Sequence, residues 1–374
     1  MPCQKKKLFF LVTQGAWGGA QKYVLDLAKN LVNTYEIFVA IGEKGKTPDL
    51  QEKLAKEVKD VHVLELKHLK RTICPRKDIQ ALYEIKRIYK QIQPDIVHLN
   101  SSKAGVLGSY ANSLLPKKDR PKIIYTVHGW VMNEPMNSFK KKLYTFLEKN
   151  SAKYKDALIV LSEKEKKDGI RIQIPENKLY TIPLGINPIS FLSKTEARKK
   201  LLPNTKNKIW FGTIANFFET KGLDVLLHTL VENKKILQDT NFLIIGEGPE
   251  RKKLEKILEE NKIINVFLLG AKENASQYLK AFDCFVLPSR KEGFPYVLLE
   301  AIQAELPIIT TDVGGIREML SKYKPSYIIP PNSEKKLGEA IQKFLQEDNK
   351  KGIAKESYTL EAMTKKTHSL YESV

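Results

Sequence analysis

Residues 283–313 read DCFVLPSRKEGFPYVLLEAIQAELPIITTDV, and this stretch decides the fold. Two short apolar runs rich in β-branched and aromatic residues, CFVL and LPIITT, flank a polar loop and a longer apolar stretch that begins after Pro295. Runs of four to six residues suit strands, and the stretch between them suits a helix, so the segment predicts strand, loop, helix, strand. Neither strand alternates apolar with polar. Both must be buried on two faces, as in a parallel sheet covered by helices. The same alternation extends outward, through KIWFGTIA, NFLIIGEG and NVFLLG before it and SYIIPP after it. It also fills the first half, where LFFLVT, EIFVAI, VHVLEL, DIVHLN, KIIYTVH and ALIVLS each precede a helical pattern. Between the two series, LYTIPLGINPISFLSKTEARKKLLPN carries three prolines and breaks the rhythm, which predicts a linker.

The expected architecture is therefore α/β, with two doubly wound Rossmann-like domains facing across a cleft: residues 1–185, residues 186–356, and a helix over 357–374. That last helix is either a terminal cap or an arm crossing back to the first domain. Ligands of such sheets collect beyond the carboxyl ends of the strands, so the loops there carry the candidate chemistry.

Composition narrows the function. The chain has 374 residues and a formal net charge of +20, of which +15 falls within residues 1–187. Such a field draws in anions: nucleic acid, an anionic membrane surface or a phosphorylated substrate. No apolar run approaches the ~20 residues of a spanning helix. The start, MPCQKKKLFFLVTQG, imitates a signal peptide, but its apolar run is too short and reads as a buried first strand. Cys3, Cys74 and Cys284 form neither a disulfide framework nor a metal pair, which fits a reducing cytoplasm. His98, inside DIVHLN, reads as a satisfied strand residue.

Several loops then stand out. Gly246-Glu247-Gly248-Pro249 follows a strand and is either a plain turn or the edge of a nucleotide site. Lys221-Gly222 sits at a helix start, either as a surface lysine or as a cation beside free N–H groups. Glu292 and Glu300 flank the start of the helix after Pro295. They are an acid and base pair, two anchors for one ligand, or unrelated glutamates. Ser101-Ser102-Lys103 opens a further helix after DIVHLN.

In order along the chain, QGAWGGAQKYV, TVHGW, IPLGIN, KGLD, GEGP and PSRKEGFP with its EA eight residues on resemble glycosyltransferase family 4, enzymes of GT-B fold that use nucleotide sugars. The resemblance implies roles residue by residue. Glu292 lies near the donor sugar, Glu300 accepts from the ribose hydroxyls, and Lys221 holds the diphosphate as the leaving group gains charge. Gly18 and Gly19 close over the phosphates, and His128 points at the sugar, with Gly129 allowing close approach. Gly246, Arg290, Gly293, Phe294, Pro295, Tyr296 and Val297 complete the donor pocket. Ser102, Lys103 and Trp130 face the acceptor, a sugar or a lipid-diphosphate-linked sugar. His128, Glu292 and Lys221 are the catalytic candidates.

Asn216 departs from the pattern, since many relatives have an arginine there; either Arg290 or the helix start after Phe294 supplies the missing charge, or Asn216 only closes a turn. The family implies a retaining transfer of a hexose or N-acetylhexosamine, UDP as the nucleotide, no metal and no cofactor beyond the nucleotide sugar. A cytoplasmic protein is expected, and its basic first half, with Lys140, Lys141 and Lys142, either rests on the anionic inner face of the membrane or, for that lysine run, is a plain solvated helix face. The alternative is a basic nucleic-acid-binding protein, against which stand the missing zinc-finger spacing and aromatic recognition cluster. A nicotinamide oxidoreductase is weaker, because neither glycine loop gives G-x-G-x-x-G.

Overall fold

The computed structural model describes residues 5–45, 49–134, 136–203, 208–347, 353–354 and 358–374. Cys3 and the expected boundary at 356 and 357 lie outside them. The chain forms two compact units, one of Met1–Leu184 with Leu360–Val374 and one of Gly185–Thr359.

The first unit is built on seven parallel strands: β1 (Lys7–Gln14), β2 (Glu36–Glu43), β3 (Val61–Glu65), β4 (Ile96–Asn100), β5 (Lys122–Thr126), β6 (Ala157–Val160) and β7 (Leu179–Thr181). They lie in the order β3-β2-β1-β4-β5-β6-β7. β4 is buried end to end and β1 everywhere but its first and last residues, as their unbroken apolar runs require. Order reverses between β1 and β4, so a crevice opens where their following loops diverge. The loops that start at Gly15 and Ser101 border it, and His128 follows the next strand, β5.

The C-terminal helix, Leu360–Ser373, belongs to this unit and buries Leu360, Met363, Thr367, Leu370 and Tyr371. Its last turn is latched by polar contacts. Tyr371 Oη lies 2.5 Å from His98 Nδ1, and Tyr35 Oη donates to Glu372 at 2.7 Å.

The second unit repeats the plan with β8 (Ile209–Ile214), β9 (Thr240–Ile245), β10 (Val266–Leu268), β11 (Cys284–Leu287), β12 (Ile308–Thr311) and β14 (Ser326–Ile329), ordered β10-β9-β8-β11-β12-β14 and parallel throughout. The short β13 (Tyr323–Lys324) pairs antiparallel with β15 (Ile353–Ala354). The reversal here falls between β8 and β11. Lys221 follows the first of these strands and Glu292 the second, which is how residues 71 apart come to meet.

The division between the units, at Leu184 and Gly185, falls within the expected linker, but that segment is not all linker. Leu179–Thr181 joins the first sheet, with Leu179 opposite Leu158, and Lys194–Leu201 is a helix capped by Ser193, whose side chain accepts from the Glu196 N–H. Pro183 and Pro188 lie between these elements and Pro203 after the helix, so a count of turn signals overstated the length of the break. His98 is the satisfied strand residue expected, fully buried with both ring nitrogens in hydrogen bonds.

Candidate active site

In the second unit a three-residue cluster forms at the strand reversal. Glu292 Oε1 accepts from Lys221 Nζ at 2.7 Å and from Ser289 Oγ at 2.7 Å. The Glu292 side chain is 8% exposed and that of Lys221 24%, so the pair sits at the floor of a partly open crevice. Local backbone explains the approach. Gly222 has φ +62°, and a Cβ there would lie 2.1 Å from the Pro288 carbonyl; Gly314 has φ +55°, and a Cβ there would lie 2.2 Å from the Glu292 carbonyl. Only glycine permits either packing. Gly222 also caps the helix Leu223–Glu232, and Pro295 caps the helix Tyr296–Gln303; neither start has a side-chain cap. Both helix starts therefore offer N–H groups and a positive dipole end to an anion.

Phe294, Pro295 and Tyr296 are buried beneath this loop, Val297 is half-buried, and Glu300 stands partly exposed on the second turn of the helix. Gly293 accepts the Gly315 N–H through its carbonyl, which ties the loop to the turn after β12. Gly246 begins a turn against Ala215, with the Phe217 N–H donating to the Glu247 carbonyl at 2.8 Å; Pro249 falls in this turn, before the helix Arg251–Glu260.

Arg290, a candidate for the missing phosphate cation, is already engaged within the protein. Its guanidinium forks onto both oxygens of Asp224, at 2.7 and 3.0 Å, and also reaches the Glu219 carbonyl and Asn332 Oδ1. Burial raises the Asp224 carboxyl, but hydrogen bonds from Arg290 and Lys253 outweigh it and hold the pKa at about 2. A bidentate pair of this kind fixes loop geometry. Asn216 is exposed, and its carbonyl accepts the Phe218 N–H at 2.8 Å, so its backbone does close a turn.

In the first unit, Gly18 caps the helix Gly19–Leu31 in extended conformation with no side-chain cap. His128 is half-buried; its Nε2 lies 3.2 Å from Asn100 Oδ1, and the Tyr23 ring meets it edge-on at 5.1 Å. Desolvation pushes its pKa down to about 3, so the ring is neutral.

Two acceptor-side expectations need correction. Trp130 is 1% exposed and donates to the Glu165 carbonyl at 2.9 Å, so it packs the core and touches no ligand. Lys103 pairs with Asp78 at 2.5 Å and donates to the carbonyls of Lys70 and Thr72 at 2.7 and 2.6 Å. Three oxygens already satisfy its three N–H groups, so it anchors the loop before Cys74 and is not the free cation expected. Ser102 remains half-exposed at its helix start, with Oγ 3.4 Å from Tyr125 Oη.

With this geometry in place, comparison with known proteins is direct. Residues 17–189 match the model described as Glycosyltransferase Family 4, and residues 193–358 match that described as Glycosyl transferases group 1. The chain is a glycosyltransferase. A similar relative is the UDP-Gal:alpha-D-GlcNAc-diphosphoundecaprenol alpha-1,3-galactosyltransferase of Escherichia coli, 29% identical over 70% of this chain and 69% of that one. Another is the capsular polysaccharide biosynthesis glycosyltransferase CapM of Staphylococcus aureus, 25% identical over 79% and 83%. The structure of HepE from Anabaena, in complex with UDP and glucose, superposes with a TM-score of 0.80 over 99% of this chain and all of that one, at 17% identity. The glycosyltransferase has the GT-B fold.

Three neighbours of the candidate residues escaped the sequence reading: Ser289 beside Glu292, Asn100 beside His128, and Gly314 beside Glu292. The first two share a signal, a polar residue ending an otherwise apolar strand, in FVLPS and DIVHLN. Gly314 stands in the Gly-Gly turn after β12.

Proposed function

We propose that this glycosyltransferase transfers a hexose or N-acetylhexosamine from a UDP sugar to a hydroxyl of a lipid-diphosphate-linked or surface glycan, with retention at the anomeric carbon. The observation that carries the donor side is the Lys221–Glu292–Ser289 cluster beneath two uncapped helix starts. A cation over N–H groups suits a diphosphate whose charge grows as the bond breaks, and the adjacent carboxylate suits sugar hydroxyls. Glu300 takes the ribose, and His128 takes a sugar hydroxyl. With Lys221 and backbone N–H groups meeting the phosphates, the reading includes no metal and no dedicated protein base; the leaving phosphate receives the acceptor's proton. The E. coli relative named for UDP-Gal and HepE bound to UDP support uridine.

A thermal-shift panel in the presence of a chelator tests this. UDP and its sugars at 100 times Kd stabilise by about 2.7 kcal/mol. GDP and ADP do not, and Glu300→Ala removes most of the UDP shift. A shift with GDP or ADP alone would sink the uridine assignment, and an unchanged shift in Glu300→Ala would sink the ribose contact.

No helix among the described residues is long and apolar enough to cross a membrane. The helix Ser138–Ser151 instead presents Phe139, Leu143 and Phe146 to solvent, at 77%, 38% and 61% exposure. Spacings of four and three place them on one stripe. Exposed Lys140 and Lys142 flank that stripe, and Lys141 lies on the opposite side of the helix. This is the makeup of a helix lying in the surface of an anionic bilayer. Each lysine contributes about 1 kcal/mol near such a surface. The protein should float with phosphatidylglycerol vesicles and not with phosphatidylcholine at low salt. Phe139→Ser with Phe146→Ser should reduce binding at least tenfold; equal flotation with both lipids, or no effect of the double variant, would remove the membrane from the reading.

A further inference from the structure

We propose that Asn100 is a positioning residue that fixes the ring proton of His128 on Nε2, so that Nδ1 is presented as a hydrogen-bond acceptor to a hydroxyl of the sugar substrate. The inference rests on the reading of His128 as a sugar contact and goes beyond it by assigning the tautomer and the residue that sets it.

The argument starts from acceptor-only groups. Asn100 ends β4 and is fully buried, and its Nδ2 donates to the His98 carbonyl at 3.1 Å. A carbonyl can only accept, so the amide orientation is settled and Oδ1 faces the other way. There it meets His128 Nε2 at 3.2 Å. Oδ1 is itself acceptor-only, and therefore Nε2 must carry the proton. A neutral imidazole has one, which leaves a lone pair on Nδ1. No described residue hydrogen-bonds Nδ1, and the ring is half-exposed.

The ring plane is held by a second chain of the same logic. Tyr23, edge-on to His128, accepts from Thr126 Oγ1 at 3.2 Å. Thr126, having donated to Tyr23, accepts from His98 Nε2 at 2.7 Å; His98 Nδ1 then accepts from Tyr371 Oη at 2.5 Å. Each direction in this chain follows from the bond before it. The C-terminal helix, through Tyr371, thus ends the chain that holds the tyrosine against the His128 ring, while Asn100 sets its proton. Burial pushes His98 down to about 3, which keeps that ring neutral too.

Long-range proton–nitrogen correlation spectra of the ligand-free, histidine-labelled full chain test the assignment, with His128 identified by its loss in His128→Gln. The expected wild-type pattern at pH 7 is the neutral Nε2-protonated form. In Asn100→Leu, which keeps the volume and removes the acceptor, His128 shifts to mixed tautomers, and kcat/KM falls about tenfold, the cost of one hydrogen bond near 1.4 kcal/mol. An Nδ1-protonated His128 in the wild-type protein overturns the proposal without any variant. So does an unchanged tautomer in folded Asn100→Leu. If the tautomer is as stated but His128→Ala keeps full transfer, the sugar contact falls and takes the hydroxyl assignment with it, a failure distinct from that of the Asn100 bond.

Discussion

Replacing Lys221 by methionine should lower the transfer rate by about 10²–10³-fold, the range measured when one fixed group is removed from a developing negative charge. In the resting protein the Lys221 ammonium is 2.7 Å from Glu292, and that pairing gives a competing explanation for any loss. Without the lysine, the carboxylate of Glu292 keeps, among the described residues, only the Ser289 hydroxyl, and a nearly buried carboxylate short of a counter-charge disturbs its loop. The double variant Lys221→Met with Glu292→Gln separates the two. It removes both charges together and restores a neutral, hydrogen-bonded cluster. The baseline is Glu292→Gln alone, because that carboxylate has its own part at the sugar. If Lys221 serves only to neutralise Glu292, the double variant matches Glu292→Gln. If Lys221 meets the diphosphate, the double variant falls about 10²–10³-fold below Glu292→Gln while its melting temperature returns toward wild type. The measurement is kcat/KM with a UDP sugar, or its slow hydrolysis when no acceptor is supplied, alongside a melting curve for each variant. Equal activity in the double variant and Glu292→Gln removes Lys221 from the transition state.

That Lys221 and Glu292 would meet was legible only in part. The alternation of apolar runs fixed both sheets as doubly wound, because fully buried parallel strands cannot alternate polar with apolar. A doubly wound order then puts the loops after β8 and β11 side by side, so two motifs far apart in the chain share one crevice. Charged side chains whose partners are remote were another matter. Nothing near Arg290 in the sequence announces Asp224, and nothing near Lys103 announces Asp78; each looked free because its counter-ion comes from another element. Trp130 misled for a related reason. It follows the His128-Gly129 pair, but the chain turns inward there, and its indole N–H finds the Glu165 carbonyl inside the core. Proximity in sequence to a site residue says little once the backbone leaves a strand. The linker misled in the opposite sense, since three residues before a proline-rich run suffice to complete a sheet edge.

The first unit also contains an ion pair that the chemistry does not use, and it should dominate that unit's stability. Lys155 and Glu148 have side chains 0% and 1% exposed, with Lys155 Nζ 3.6 Å from Glu148 Oε2. Lys155 Nζ donates to Ser151 Oγ at 2.8 Å and lies 4.3 Å over the Tyr125 ring, whose hydroxyl donates to Glu148 Oε1 at 3.2 Å. Burial lowers the Lys155 pKa while Glu148 opposes it. Removing one partner strands the other in a low-dielectric core, so Lys155→Met should cost about 3–5 kcal/mol, as buried pairs do when broken. Replacing both, Lys155→Met with Glu148→Leu, removes the stranded charge and should recover most of that loss; apolar groups of similar volume often match or exceed a buried pair. Urea unfolding followed by tryptophan emission reads the result, because Trp130 lies in this unit's core. The sum of the two single costs should exceed the double cost by more than 2 kcal/mol, a coupling expected only for groups in one network. A single-variant loss below 1 kcal/mol would be the value of a solvent-exposed pair and would contradict the burial from which the prediction starts.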